Sequence, residues 1–254
     1  MNQNEKLRYK KHLQLLQVGS EGQERLKAAS VLVVGAGGLG SAVLLYLAGA
    51  GVGNIRIIDD DRVSLSNLSR QIIHTTTCLD SLKVESARKR LLELNPDIQV
   101  EVFPFRLTTE NAEEIISGNW PVIDCTDNIE TRFLLNEFCA KLSIPLVYGA
   151  VFEFEGQVSV FDAARGPCLR CMIPEMPPDG ALADPELHGL LNTVPGVIGM
   201  LQATEVLKLI LGIGEPLIGK LLLFDSLSAT LQTIRLNKRP DCPVCSYIDS
   251  DIND

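Results

Sequence analysis

With 254 residues the chain has room for one large α/β domain, or for a core domain with a small attachment. A composition of 46% hydrophobic and 22% charged residues excludes disorder and collagen-like repeats. A formal net charge of -9 argues against non-specific adhesion to nucleic acid or to an anionic membrane, since both need a positive surface field.

The opening "MNQNEKLRYKKHLQLL" lacks the charged-then-apolar order of a signal peptide. No apolar run is expected to reach the roughly 18 residues of a membrane span, so the cytoplasm is the expected compartment. Residues 1–30 interleave Leu13, Leu16 and Leu26 with charges and predict an N-terminal helical arm. Next come the strand "SVLVVG", an apolar helix over residues 41–50, and a second strand in "GVGNIRIIDDD", which together make a βαβ unit. "SLKVESARKRLLELNPDI" has helical spacing at Val84, Ala87, Leu91 and Leu94 and stops at Asn95-Pro96, before the alternating strand "IQVEVFPF". Helix "TENAEEIISG", buried strand "WPVIDCTDN", helix "IETRFLLNEFCAKLS" and strand "IPLVYGA" continue the alternation. Residues 31–150 are therefore expected to form a Rossmann-like region with a mostly parallel sheet and helices on both faces.

Residues 151–254 change character. "GQVSVFD" and "GKLLLFDSLSATLQTIRLN" predict antiparallel strands, and "GVIGMLQATEVLKLILG" an apolar-faced helix. Between them, residues 172–195 are proline-rich and acidic with little periodicity, and predict an exposed loop. No boundary linker, repeat or low-complexity tract divides the two regions, so they are expected to form one continuous domain.

Gly35, Gly37 and Gly40 in "VLVVGAGGLG" fit G-x-G-x-x-G, a loop that lets backbone N–H groups approach a phosphate at a helix N-terminus. Asp59 lies 19 residues past Gly40, at the end of the second strand, where a carboxylate can accept hydrogen bonds from a ribose. That pair alone also suits an NAD-dependent oxidoreductase. The residues downstream point elsewhere: Asn67, Arg70 and Gln71 follow the strand, and Lys83 opens the next helix. Arg70 and Lys83 offer two cations to phosphates, although both residue types are commonly just solvated. "VIDCTDN" places Asp124 and Asp127 at the carboxyl end of a strand, where one carboxylate can hold Mg²⁺ against nucleotide phosphates. Asp127 or Asn128 can instead cap the following helix.

Four of the seven cysteines form two C-x-x-C pairs, Cys168 with Cys171 and Cys242 with Cys245, as in a closed structural Cys₄ zinc site. Zn²⁺ there would tie the C-terminal region to the middle of the chain and contribute folding energy, with no open position for water. Cys78, Cys125 and Cys139 are read as core or incidental thiols. His12, His74 and His188 show no ligand spacing.

"RYKKHL", the glycine-loop segment through "SLSNLSRQ", "LKVESA", "DCTDN", "EGQVSVF", "PCLRC" and "CPVC", in this order from about residue 7 to 246, resemble the MoeB/ThiF/HesA family of sulfur-carrier adenylyltransferases, relatives of ubiquitin-activating enzymes. In character the likeness is nearest to molybdopterin-synthase adenylyltransferases. The resemblance implies a Rossmann-like domain continuing into an antiparallel part with a Cys₄ zinc. It implies ATP-dependent adenylation of the C-terminal Gly-Gly carboxylate of a small β-grasp carrier, giving an acyl-adenylate and pyrophosphate. Gly38 and Asp59 would then contact the nucleotide, Asn67, Arg70 and Lys83 its phosphates, and Asp127 Mg²⁺; Arg70, Lys83 and Asp127 are the expected catalytic residues.

The family's homodimeric habit implies that a basic residue of the arm, here Lys11, reaches the partner subunit's ATP. Residues 172–195 hold no cysteine and the sequence stops nine residues after Cys245, so sulfur is expected to come from another protein acting downstream. The acidic side chains of that loop are expected near the entry of the carrier tail. Three readings stay open at this level: the adenylyltransferase, an NAD-dependent oxidoreductase, and a non-catalytic, zinc-stabilised module that docks a β-grasp partner.

Overall fold

The computed structural model describes residues 1–178 and 188–248. Strand β1 (Ser30–Val34) is an unbroken apolar run because it is a central parallel strand covered on both faces. It pairs in parallel with β2 (Asn54–Ile58) on one side and β4 (Val122–Asp124) on the other. β3 (Gln99–Phe103) extends the sheet beyond β2, and β5 (Leu146–Phe152) extends it beyond β4, both in parallel. β6 (Glu155–Phe161), β7 (Lys220–Asp225) and β8 (Thr230–Arg235) then add antiparallel, giving the order β3-β2-β1-β4-β5-β6-β7-β8. β5 belongs to both halves: parallel to β4 and antiparallel to β6, it makes one sheet of the two regions expected from the sequence.

Period-two alternation divides the core between the two faces. Val31 and Val33 point to one face, where they join Ile55, Ile57, Val147 and Val158 under α4 (Gly38–Ala50), α5 (Lys83–Leu94) and α9 (Thr193–Leu211). Leu32 and Val34 point to the other, with Leu146, Tyr148 and Phe161 under α6 (Ala112–Ile116) and α7 (Ile129–Lys141). α9 corrects one expectation, for its 19 residues at mean hydropathy 1.5 have the length and apolarity of a membrane span. Its place explains its composition: Val194, Ile198, Ala203 and Val206 are buried in the core against α4, β5 and β6.

The N-terminal arm is helical, as expected, in three pieces: α1 (Gln3–Arg8), α2 (Lys10–Leu13) and α3 (Gly19–Ala28). Asn2 caps α1 by accepting from the Glu5 N–H at 2.9 Å. The arm is docked on the body: Gln23 Nε2 donates to the Ala50 carbonyl at 2.8 Å, and Asn95 Nδ2 to the Tyr9 hydroxyl at 2.9 Å. It leaves Leu7, Leu15 and Leu16 exposed.

Candidate nucleotide site and cysteine cluster

The carboxyl ends of β1, β2 and β4 meet where the strand order reverses, which is where open α/β sheets leave a crevice. A cleft of about 310 Å³ lies there, lined by Gly35, Gly37, Asp59, Asp61, Asp127 and Asn128 among others. Another cleft, of about 560 Å³, lies between β7, β8 and residues 165–167, but it touches none of these strand ends. The crevice of the strand ends is therefore the candidate site, despite its smaller volume.

Two glycines are required by the turn after β1. Gly35 has φ of +99°, and a Cβ there would stand 2.6 Å from the Cys125 carbonyl oxygen. A Cβ on Gly40 would overlap the Gly35 carbonyl, so the first turn of α4 can close over the loop only with glycine at that place. Asp59 holds the loop from below: Oδ2 accepts from the Ala36 N–H at 2.8 Å and Oδ1 from the Asp61 N–H at 2.9 Å. Burial pushes the Asp59 carboxyl above its ordinary value, against the pull of the nearby Lys83 cation.

Lys83, at the start of α5, is buried and donates to Asp61 Oδ2 at 2.7 Å. It thus sits one ion pair from the cleft rather than lining it. Arg70 and Asn67 lie on the segment that crosses the glycine loop: the Arg70 carbonyl is 3.7 Å from where a Gly38 Cβ would stand, and Gly38 itself abuts Pro195 of α9. Arg70 Nη1 rests on the Ser66 carbonyl at 3.2 Å, and the Asn67 side chain accepts from the Ser64 N–H at 3.3 Å. Lys11 is not brought to the cleft of its own chain; it is exposed on α2 and has no side-chain partner among the described residues.

At the end of β4 the three polar side chains divide their tasks. Asn128 is the cap of α7, accepting from the Thr131 N–H at 2.9 Å. Asp124 is fully buried, with Oδ1 taking the Thr126 N–H at 2.9 Å and hydroxyl at 2.7 Å, and with Arg132 Nε 3.9 Å from Oδ2. Burial raises the Asp124 carboxyl too, with Arg132 opposing it. Asp127 alone is exposed and faces the cleft, so it is the carboxylate of this strand end that is free to meet a bound group. Asp59, Asp60 and Asp61 bring carboxylate oxygens within 4.8 Å of one another beside it, so the donor set is all oxygen, the kind that suits Mg²⁺.

Sequence reasoning passed over His74, which is buried between the Ala36 carbonyl and Ser86, and Gln202, which is buried against β4 and β5. A lone histidine and a glutamine in an apolar helix give no spacing signal. The only hint was that Ser86 lies three residues past Lys83, on the same face of α5.

The two C-x-x-C pairs converge. Cys168 and Cys171 flank α8 (Leu169–Met172), and their sulfurs lie 3.5 Å from Cys242 and 3.4 Å from Cys245 respectively. All four sulfurs fall within 4.8 Å of one another, against roughly 3.8 Å between sulfurs around a tetrahedral zinc with Zn–S of about 2.3 Å. The Arg239 N–H points to Cys171 Sγ at 3.4 Å, the kind of contact that supports a thiolate ligand. The cluster fits a closed structural zinc. Of the acidic loop, Asp179, Asp184 and Glu186 lie outside the described residues.

A doubly wound sheet with a glycine loop and carboxylates at its switch point, running on into an antiparallel half stapled by four cysteines, defines a nucleotide-binding α/β protein with a structural metal site. The chain belongs to the ThiF family, which it matches over residues 9–244. It is 49% identical to the sulfur carrier protein adenylyltransferase of Thermus thermophilus, over 94% of this chain and 90% of that protein. It is 44% identical to the SAMP-activating enzyme E1 of Haloferax volcanii, over 94% and 88%. The adenylyltransferase and sulfurtransferase MOCS3 of Aedes aegypti is 46% identical, and the match covers 97% of this chain but 56% of that longer protein. Among solved structures, Escherichia coli MccB with ATP superposes at a TM-score of 0.82 over 94% of this chain and 74% of that one, at 22% identity, a likeness of fold.

Proposed function

We propose that the protein is an ATP-dependent adenylyltransferase that activates the C-terminal Gly-Gly carboxylate of a small β-grasp sulfur carrier. The observation that carries this reading is the meeting of the glycine loop, Asp59, Asp127 and the Lys83–Asp61 pair at one switch point, in a chain whose relatives are named for this activity. A carrier carboxylate oxygen attacks the α-phosphorus of ATP, the bond to the β,γ-diphosphate breaks, and pyrophosphate leaves with the bonding electrons. The protein contributes position and charge rather than a nucleophile. Gly35, Gly37 and Gly38 cradle phosphates, Asp59 takes the ribose, and Asn67, Arg70 and Lys83 hold phosphates and offset charge at the α-phosphorus. Asp127, with Asn128 shaping the turn beside it, holds Mg²⁺, which when bound supplies charge neutralisation on the phosphates.

The same reading makes the chain a cytoplasmic homodimer. The exposed Leu7, Leu15 and Leu16 of the arm support it, because a second subunit would cover them and bring Lys11 to the neighbouring ATP. A separate protein then supplies sulfur to the acyl-adenylate, for thiocarboxylate formation in molybdenum-cofactor or thiamine-type biosynthesis. Neither nucleic acid nor membrane is a partner. The decisive test is exchange of labelled pyrophosphate into ATP in the presence of Gly-Gly-ending carriers. Exchange that depends on the carrier and its terminal glycine supports the proposal. Its absence with every such carrier, or hydride transfer from a nicotinamide, overturns it.

A further inference from the structure

His74 carries no role in the adenylation scheme, yet it is the most tightly placed polar side chain around the glycine loop. It is 5% exposed, and both ring nitrogens are engaged: Nε2 lies 2.9 Å from the Ala36 carbonyl oxygen and Nδ1 2.9 Å from Ser86 Oγ. A carbonyl can only accept, so the proton sits on Nε2, and Nδ1 accepts from the Ser86 hydroxyl. The ring is therefore neutral. Burial lowers its proton affinity and the Lys83 cation adds to that effect, while Asp59, the other charged group facing the ring, opposes it.

The Ala36 unit is thus held at both ends, its N–H by Asp59 at 2.8 Å and its carbonyl by His74. The peptide joining Ala36 to Gly37 is trans, so its C=O and N–H point in opposite directions. Turning the carbonyl toward His74 turns the Gly37 N–H away from it, and Gly37 lines the cleft. That N–H makes no hydrogen bond among the described residues. Ser86 stands on α5, one turn past Lys83, so the His74–Ser86 bond also ties the loop to the helix that carries the buried cation.

We propose that His74 is a positioning residue for nucleotide binding: as the Nε2–H imidazole bonded to the Ala36 carbonyl and Ser86, it sets the Ala36–Gly37 peptide plane so that the Gly37 N–H is presented to a phosphate. The proposal rests on the reading of the cleft as an ATP site, but not on what ATP is used for.

The test is equilibrium dialysis of labelled Mg-ATP against wild type, His74→Phe and His74→Gln. Phenylalanine keeps the ring and loses the donor; glutamine can return an N–H near the Nε2 position. His74→Phe should raise the Kd for ATP at least about fivefold, the scale of one lost hydrogen bond, and His74→Gln should stay within about twofold. Equal binding by wild type and His74→Phe, or equal loss in both variants, overturns the proposal. If His74→Phe does not fold, Ser86→Ala decides, with a smaller rise in Kd expected and an unchanged Kd refuting. With three histidines in the chain, ¹⁵N imidazole shifts of the unliganded wild type read the tautomer directly. An Nδ1–H or doubly protonated His74 at neutral pH also refutes. Absence of carrier-dependent exchange with intact ATP binding would sink the proposed activity and leave His74 standing.

Discussion

Gln202 of α9 donates from Nε2 to the backbone carbonyl of Asp124 at 2.7 Å, so a helix from the second half of the chain holds the end of the strand that presents Asp127. The same nitrogen lies 3.3 Å from the Val147 carbonyl of β5, and the Gln202 side chain is fully buried. Gln202→Leu keeps the volume and removes both donors. It should destabilise the protein by about 1–3 kcal/mol, the cost of leaving buried acceptors unpaired. Urea denaturation measures this, and an unchanged midpoint would show that the clamp carries no weight.

Gly35→Ala probes the loop itself. An alanine at φ of +99° is strained, and its Cβ 2.6 Å from the Cys125 carbonyl forces β1 and β4 apart at the cleft. The expected cost is about 1–3 kcal/mol from the backbone conformation alone, with ATP binding weakened further than stability. Unfolding and Mg-ATP binding of the variant, compared with Gly49→Ala where a Cβ meets nothing within 4 Å, separate a local effect from a general one. Equal behaviour of the two variants would remove the steric argument.

The outline of this site is legible in the sequence because its parts are strand ends. Hydrophobic runs of five residues locate β1 and β2, and whatever follows them in chain order must lie at the switch point, so Gly35, Asp59 and Asp127 could be placed together without coordinates. The two cysteine pairs are legible for a different reason, since a C-x-x-C repeat has few uses in a chain of this composition. What stayed hidden depends on chain crossings. His74 and Gln202 act through backbone carbonyls 38 and 78 residues away, and no periodicity encodes such a contact. Lys83 was placed as a phosphate ligand on charge alone; its ion pair with Asp61 shows that the cation is already engaged before any phosphate arrives. The span-like apolarity of α9 was missed because glycine, glutamine and threonine interrupt its hydrophobic run without lowering its mean hydropathy below a membrane helix's.

Zinc removal tests the cysteine cluster. The purified protein should hold one zinc per chain, and Cys242→Ser should lose it together with several kcal/mol of stability, on the scale by which structural zinc drives folding. Because Cys168 and Cys171 flank α8 next to α7, the damage should reach the β4–α7 turn and weaken ATP binding as a secondary effect. Metal analysis and thermal unfolding with and without a chelator check this. A zinc-free protein of undiminished stability would contradict the assignment.

Asp59 gives the stability curve a predictable sign. Its carboxyl is held above the ordinary value by burial, so the native state binds this proton at a higher pH than the unfolded chain does. Between those two values the native state carries more protons, and this group's contribution to stability grows as pH falls toward the ordinary carboxylate range of about 4. At neutral pH the ionised, buried carboxylate is a net cost relative to its protonated form. The unfolding free energy of wild type minus that of Asp59→Asn should therefore rise as pH falls from 7 toward about 4. A difference that falls with acid would mean that Lys83 and the two backbone N–H donors outweigh burial.

Asp127 and Arg70 carry the sharpest prediction for the proposed reaction, because neither is needed for the fold. Asp127 is exposed and leaves the capping of α7 to Asn128, and Arg70 makes one long hydrogen bond, to the Ser66 carbonyl at 3.2 Å. Asp127→Ala and Arg70→Ala should each lower carrier-dependent pyrophosphate exchange by about 100-fold or more, the scale on which removing one preorganised charge slows a transfer reaction. Zinc content and unfolding midpoint should not move. The two should differ in how they fail: Asp127→Ala should shift the Mg²⁺ dependence of any residual exchange, whereas Arg70→Ala should leave that dependence in place and lower the rate at saturating metal. A variant with wild-type exchange would return its residue to the solvated charges that a surface of this composition carries anyway.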